Sequence, residues 1–401
     1  MTVNGMPLTL EDLVVIDLTQ NVAGPFCTEL LGDFGADVIK VERPGKGDDV
    51  RGFAPQWRGE SAAYLAYNRN KRSIGVDLDD ARGQDIVHRL GRKADIFVHT
   101  MKPGSAEARG LGYEDLSRDN PRLIYASISG FGERGPLRAL PGYDPLAQAY
   151  SGIISMNGHP GAPPARVVVP LIDMGSGLWL FTGILASVIE RIKTGKGAKV
   201  ATSLLETGVN WTTLMMLGYQ ATGIAPGPAG STSPAAAPYE AFQTADGWIQ
   251  IAVGNDRMFA NLCNVLDHPE LPQDLRFSTN SHRVGHRANL HAILEQETRK
   301  IRSAQLMEVL REAGVPASVI NTLDQVYVDE QVNALGMLPA ADPSFQISEM
   351  KLVDIPVTLN GRRAALRRMP PRLGEHTDEV LRSAGYSDEE VATLKAERVI
   401  A

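Results

Sequence analysis

Residues 13–41 limit the fold of this chain more than any other stretch. Leu13–Leu18 is a short apolar run between polar residues, the pattern of a buried strand. Thr19–Pro25 reads as a loop, Phe26–Gly35 as a helix closed by glycine, and Ala36–Val41 as a second strand. Two strands joined by one helix are parallel, and a parallel sheet needs helices on both faces. The chain therefore starts as an α/β protein.

The alternation goes on. Arg72–Leu78 is strand-like, Ala81–Ala94 helical, and Asp95–His99 and Leu123–Ile128 are further strands. The composition shifts at Gly223–Pro238, a Gly/Pro/Ala-rich linker. Tyr239–Gly254 then reads as a hairpin turning at Asp246-Gly247, and helical patterns run to about Ala313. In the tail, strand-like Ile355–Leu359 and helical Glu375–Ala384 return to the first domain. The expected organisation is a large domain over 1–222, a small domain over 223–318, and a third segment, 319–401, rejoining the large one. A length of 401 residues suits two or three domains.

A formal charge of −7 argues against nucleic acid or an anionic membrane as partner. Two distant cysteines, Cys27 and Cys263, make neither a disulfide framework nor a zinc site, and fit a reducing cytoplasm. The first residues have no basic and apolar leader pattern. The longest apolar run, Leu178–Ile189, is shorter than a membrane span and reads as a buried helix. The expected location is cytoplasmic.

One candidate for chemistry stands out. Val167–Gly177, V-V-V-P-L-I-D-M-G-S-G, places Asp173 after an apolar β-rich stretch and before a glycine-flanked turn. Glycines there let a ligand approach the backbone, and a carboxylate can be a nucleophile toward activated acyl groups. The same Asp could equally be a helix N-cap. The first βα loop, Asp17–Pro25, sits where doubly wound folds bind nucleotides, and Glu42 ends the second strand. That loop holds one glycine, Gly24, so the G-x-G-x-x-G fingerprint is missing, and so is a phosphate loop. Lys40, Arg43, Lys46, Arg69, Lys71 and Arg72 cluster near these strand ends, as phosphate partners or as a solvated charged face. His282, His286 and His291 lie in a basic context without a zincin glutamate and read as a surface helix. Cys27 reads as a small packed residue. No G-x-S-x-G elbow occurs.

Taken together, several segments carry a resemblance: Asp17–Asp48, Asn68–Leu78, Ala94–Gly104, Asn120–Gly132, Gly142–Gly152, Asp173–Gly177 and Leu373–Leu381. The chain resembles the family III CoA-transferases, a group that includes formyl-CoA transferase, carnitine CoA-transferase and α-methylacyl-CoA racemase, from Leu10 to about Val399. The resemblance implies a Rossmann-like large domain with a parallel sheet, a smaller α+β domain, and two chains threaded as an interlocked homodimer. It implies Asp173 as the nucleophile. It places the CoA contacts on Val22, Ala23, Arg43, Val76, Asp77, Leu78 and Asp79, on Thr100, Met101 and Lys102, and on Pro141–Asp144, which includes Tyr143 and Asp144. A CoA-binding Arg of relatives falls on Ala108, with Arg109 beside it as the candidate replacement.

The implied reaction moves CoA from an acyl-CoA to a small carboxylic or dicarboxylic acid through an aspartyl anhydride and an aspartyl-CoA thioester. CoA is a substrate; no permanently bound cofactor and no metal is expected. Backbone N–H groups around Gly175 and Gly177 are the candidate oxyanion donors, and Gly223–Pro238 is either a lid or a linker. The alternative within the family is a 2-methylacyl-CoA racemase working by α-proton transfer. There the pattern G-H-D is expected where this chain has Gly142-Tyr143-Asp144, and tyrosine is a poor base at neutral pH. Two other readings are a CoA-binding protein without catalysis and a nicotinamide oxidoreductase, the second weakened by the missing glycine fingerprint.

Overall fold

The computed structural model describes residues 5–401. It divides into two compact units: residues 5–153, 166–224 and 333–401 form the first, and 154–165 with 225–332 the second.

The first unit is built on six parallel strands: β1 (Val14–Leu18), β2 (Asp37–Glu42), β3 (Lys71–Gly75), β4 (Ile96–His99), β5 (Ile124–Ser129) and β6 (Ala198–Ser203). Their order is β3-β2-β1-β4-β5-β6. This is the Rossmann order, and it reverses beside β1, so a crevice opens at the carboxyl ends of β1 and β4. Side chains alternate between the two faces. Ile16, Leu18, Ile39, Val41 and Ile74 point to one layer, where α2 (Ala81–Gly91) and the C-terminal helices Thr377–Ser383 and Asp388–Ala396 pack. Val15, Val38, Ile96, Val98 and Ile124 point to the other, covered by α1 (Ala23–Asp33) and a long helix of residues 171–194. The chain end closes the β3 edge: Ala401 N–H donates to the Gly75 carbonyl and Asp77 N–H to Val399.

The β1-α1-β2 unit expected from residues 13–41 is present, with α1 starting three residues early. The stretch before Asp173 is not a strand. Val168 and Val169 are exposed, and Val167 bonds through its N–H and carbonyl to the side-chain amide of Gln148 instead of to a strand. Pro170 has no N–H to give a ladder. Between β5 and β6 lie α3 (Asp144–Tyr150) and α4 (Leu171–Thr194), followed after β6 by α5 (Leu204–Trp211) and α6 (Thr213–Thr222). Asp173 thus lies in the first turn of α4, and Gly175 and Gly177 lie inside that helix. They bring helices together. A Cβ on Gly177 would stand 2.5 Å from the Ala23 carbonyl, and one on Gly175 2.7 Å from Trp211 Nε1. By length and apolarity α4 could cross a bilayer; its inner face (Ile172, Leu180, Phe181, Ile184) is buried on α1 and the sheet. Each of those side chains contributes roughly 1.5–3 kcal/mol.

Ile355–Leu359 forms no strand, only a Leu359–Arg362 bridge at its end. Strand β6 and helices α5 and α6 carry no clear pattern because β6 is an edge strand with half-exposed residues and the helices expose apolar side chains.

The second unit holds an antiparallel sheet of β7 (Tyr239–Gln243), β8 (Trp248–Ala252) and β9 (Ala317–Val319), with β8 central. The Asp246-Gly247 hairpin is as expected, pairing Trp248 with Gln243. Phe242, Ile249 and Ile251 pack on helices carrying Phe259, Leu262, Leu290 and Leu306.

Candidate active site

The crevice at the strand ends is a cleft of about 340 Å³. Its walls come from the loop after β1 (Gln20–Ala23), the loop after β4 (Thr100–Pro103), the end of β5 (Ile128–Gly130), the Leu140–Tyr143 loop, and Asp173. A side pocket of about 130 Å³ shares Gln20, Thr100 and Met101 with it and adds Arg43, Val76 and Leu78. The two hollows bring together Val22, Ala23, Arg43, Val76, Leu78, Thr100, Met101, Lys102, Tyr143 and Asp173. Asp77 and Arg109 line neither. The Asp77 carboxylate accepts the Asp79 N–H, and Arg109 is bound to Asp79 at 2.8 Å and to the Ser105 carbonyl.

Asp144 also lies off the cleft wall. It is buried, with Oδ1 accepting from Gln148 Nε2 at 2.5 Å and Oδ2 accepting the N–H groups of Ile172 (2.8 Å) and Asp173 (3.2 Å). Asp144 and Gln148, one turn apart on α3, thereby fix the whole 167–173 entry to α4. The remaining donors of the first turn are also taken: Leu171 N–H bonds Val169 O and Met174 N–H bonds Pro170 O. Gly175 and Gly177 sit in the helical ladder, so the oxyanion donors expected from them are not free.

Among the described residues, no cation pairs with Asp173. Burial first, and the Asp144 charge second, push its pKa up to about 7. Among the described residues lining the cleft, the other ionisable groups are Asp49, Lys102 and Tyr143.

The basic cluster of the sequence splits in two. Lys40 and Lys71 are fully buried against Asp48 (2.9 Å) and Asp17 (3.3 Å), Arg69 against Asp33, and Arg72 against Asp37. Arg43 and Lys46 stay exposed, both on Asp49. The buried pairs shape the cleft. Lys40 Nζ donates to the Thr19 carbonyl, and Asp48 accepts the N–H of Asn21, whose φ is +66°. Burial opposes ionisation of Asp17, yet Lys71, Lys40 and the Thr19 and Thr28 hydroxyls hold its pKa below the usual value. On the other wall, burial lowers His99 to about 4, so its neutral ring accepts the Met101 N–H.

The first unit is thus an α/β fold of Rossmann strand order whose switch-point cleft is bordered by one desolvated carboxylate, Asp173. The signature of CoA-transferase family III matches residues 10–377. Human succinyl-CoA:glutarate CoA-transferase is 36% identical over 98% of this chain and 90% of its own length. Acetyl-CoA:oxalate CoA-transferase of Acetobacter aceti is 39% identical over 82% of this chain and 85% of its own. A CAIB/BAIF family protein from Brucella suis superposes with a TM-score of 0.86 at 36% identity, covering 95% of this chain and 100% of that one. The chain belongs to CoA-transferase family III and is an enzyme of the CoA-transferase type.

Proposed function

We propose that this enzyme moves CoA from an acyl-CoA to a small dicarboxylic acid, with Asp173 as the covalent carrier. The observation that carries this is the Asp173 carboxylate itself: it borders the cleft, no cation among the described residues pairs with it, and burial raises its pKa, which makes an ionised carboxylate more basic than an ordinary aspartate. Relatives that transfer CoA to glutarate and oxalate support a dicarboxylic acceptor.

The Asp173 oxygen attacks the thioester carbonyl carbon. The C–S bond breaks, giving a mixed anhydride and CoA thiolate. The thiolate attacks the Asp173 carbonyl carbon, and the anhydride C–O bond breaks to release the first acid and leave an aspartyl-CoA thioester. The acceptor carboxylate runs the same steps in reverse, so each bond broken is matched by one formed. In this reading Lys102, Arg43, Val76 and Leu78 take the charged and adenine parts of CoA, and Val22, Ala23 and Tyr143 the pantetheine arm. Exclusion of water preserves the anhydride.

A second copy of the chain, interlocked with the first, completes this reading. Leu178, Trp179 and Ile192 on α4 and Trp211, Leu214 and Leu217 on α5 and α6 are exposed in the single chain, an apolar surface of the kind that interfaces cover. Sedimentation at a dimer mass supports it; a monomer at micromolar concentration opposes it. For the chemistry, incubation with an acyl-CoA followed by borohydride reduces an Asp173 thioester to an alcohol, which peptide mass spectrometry locates. Retention of acyl exchange by Asp173→Ala would sink the proposal. The racemase alternative predicts deuterium at the α-carbon of a 2-methylacyl-CoA in D2O.

A further inference from the structure

The cleft that Asp173 borders and the side pocket that Arg43 borders meet at Gln20, Thr100 and Met101, which line both. Gln20 stands two residues past β1 and Thr100 directly after β4, so the junction lies at the switch point of the sheet. A ligand with one end in each hollow passes these three side chains. None of them is charged.

The backbone on both sides of Gln20 is fixed. Its own N–H donates to Thr100 Oγ1 at 3.0 Å, the Thr19 carbonyl accepts from Lys40 Nζ at 2.9 Å, and the Asn21 N–H donates to Asp48 Oδ1 at 3.1 Å. The side chains are not so committed. Among the described residues, the half-buried Gln20 carboxamide has no hydrogen-bond partner, and the Thr100 hydroxyl, already accepting from Gln20, has no acceptor for its own hydrogen. A carboxamide offers both a donor and an acceptor, and a hydroxyl one donor more. Met101 completes the junction as an apolar surface; its N–H is spent on His99 Nδ1 and its side chain packs on the sheet core.

This is a neutral passage with a rigid frame and unspent hydrogen-bonding groups. Phosphates seek cations, which stand to either side as Arg43 and Lys102. A thin uncharged chain carrying secondary amides fits the junction itself, and the pantetheine arm of CoA is such a chain. We infer that Gln20 hydrogen-bonds through its side chain to an amide of the pantetheine arm where the arm crosses from the side pocket to Asp173, with the Thr100 hydroxyl donating to an amide carbonyl. Gln20 is not among the CoA contacts that the family resemblance implies. The inference rests on the reading of this cleft as the CoA site.

The test is calorimetric titration of the full-length wild type and of Gln20→Met, which keeps the length of the side chain and removes its polar atoms. The probes are CoA and adenosine 3′,5′-bisphosphate, which carries the nucleotide end of CoA without the arm. Gln20→Met should weaken CoA about tenfold, the value of lost neutral hydrogen bonds, and leave the bisphosphate within about twofold. CoA weakened by less than about threefold overturns the inference. An equal loss for both probes overturns it too, because Gln20 would then support the loop and not meet the arm. Exchange between acetyl-CoA and glutarate gives a reading that needs no bisphosphate binding: KM for acetyl-CoA should rise about tenfold with kcat little changed. A fall in kcat at unchanged KM overturns the inference. Wild type that binds no CoA defeats the reading of the cleft itself; wild type that binds CoA, with Gln20→Met indifferent, defeats only the role of Gln20.

Discussion

The Asp144 carboxylate holds the backbone N–H of Asp173 at 3.2 Å while its charge stands against the Asp173 side chain. One group thereby fixes the position of Asp173 and raises its pKa. An anion at a helix start is stabilising, so the repulsion between the two acids is tolerated where it is useful.

A carboxylate must be ionised to attack a thioester. With its pKa near 7, Asp173 makes kcat/KM rise with pH, tenfold per unit well below 7, to a plateau near pH 8. His99 titrates at about 4 and stays neutral throughout this range. Initial rates of acyl exchange between pH 5.5 and 8.5 read the limb directly; a flat profile means that another residue or step governs the rate.

Asp144→Asn removes the like charge, so the acid limb of that profile should shift to lower pH. The amide also faces the Gln148 Nε2 donor that Asp144 now accepts. That mismatch costs about 1–3 kcal/mol, a loss of roughly 1–5 °C in Tm for a unit of this size. A profile that stays in place, with the Tm lowered, would make Asp144 a purely structural cap.

The sheet was readable because its strands are apolar runs separated by helical stretches, and the loop after β1 followed from the strand-helix order. The setting of Asp173 was not. Its run of valines has the composition of a strand, and the competing influences are tertiary: the Gln148 amide occupies the backbone of Val167, and Pro170 starts a helix. The N-cap and nucleophile readings of Asp173 looked like alternatives, whereas the cap belongs to Asp144, 29 residues earlier. The pairing of Lys40 with Asp48 and of Lys71 with Asp17 was likewise hidden, because strand alternation shows which face a lysine takes and not which acid meets it there.

The Lys40–Asp48 pair offers a test at one remove from the chemistry. Both side chains are fully buried, and between them they hold the Thr19 carbonyl and the Asn21 N–H of the cleft loop. Asp48→Asn keeps an acceptor for Asn21 but leaves Lys40 short of its counter-charge. The loop should loosen, raising KM for the acyl-CoA about fivefold or more, with a smaller change in kcat. Should KM hold while only the melting temperature falls, the pair stabilises the fold without setting the loop.

Asp173 should also leave a mark on stability. Its unfolded value is 3.8 and its folded value about 7, so the folded state binds the proton more tightly. The stabilisation from that proton is complete below pH 3.8, declines as the pH rises, and is lost above about 7. Asp173→Asn is neutral at every pH and avoids the loss. The Tm of the variant relative to wild type should therefore climb from pH 5 to about 7 and level off from there to 8.5. The ceiling is ~4 kcal/mol, and the true figure is smaller because the carboxylate borders an open cleft. A Tm difference that stays constant over this range would mean that the carboxyl titrates as it does in the unfolded chain, and the case for an activated nucleophile would lose its physical basis.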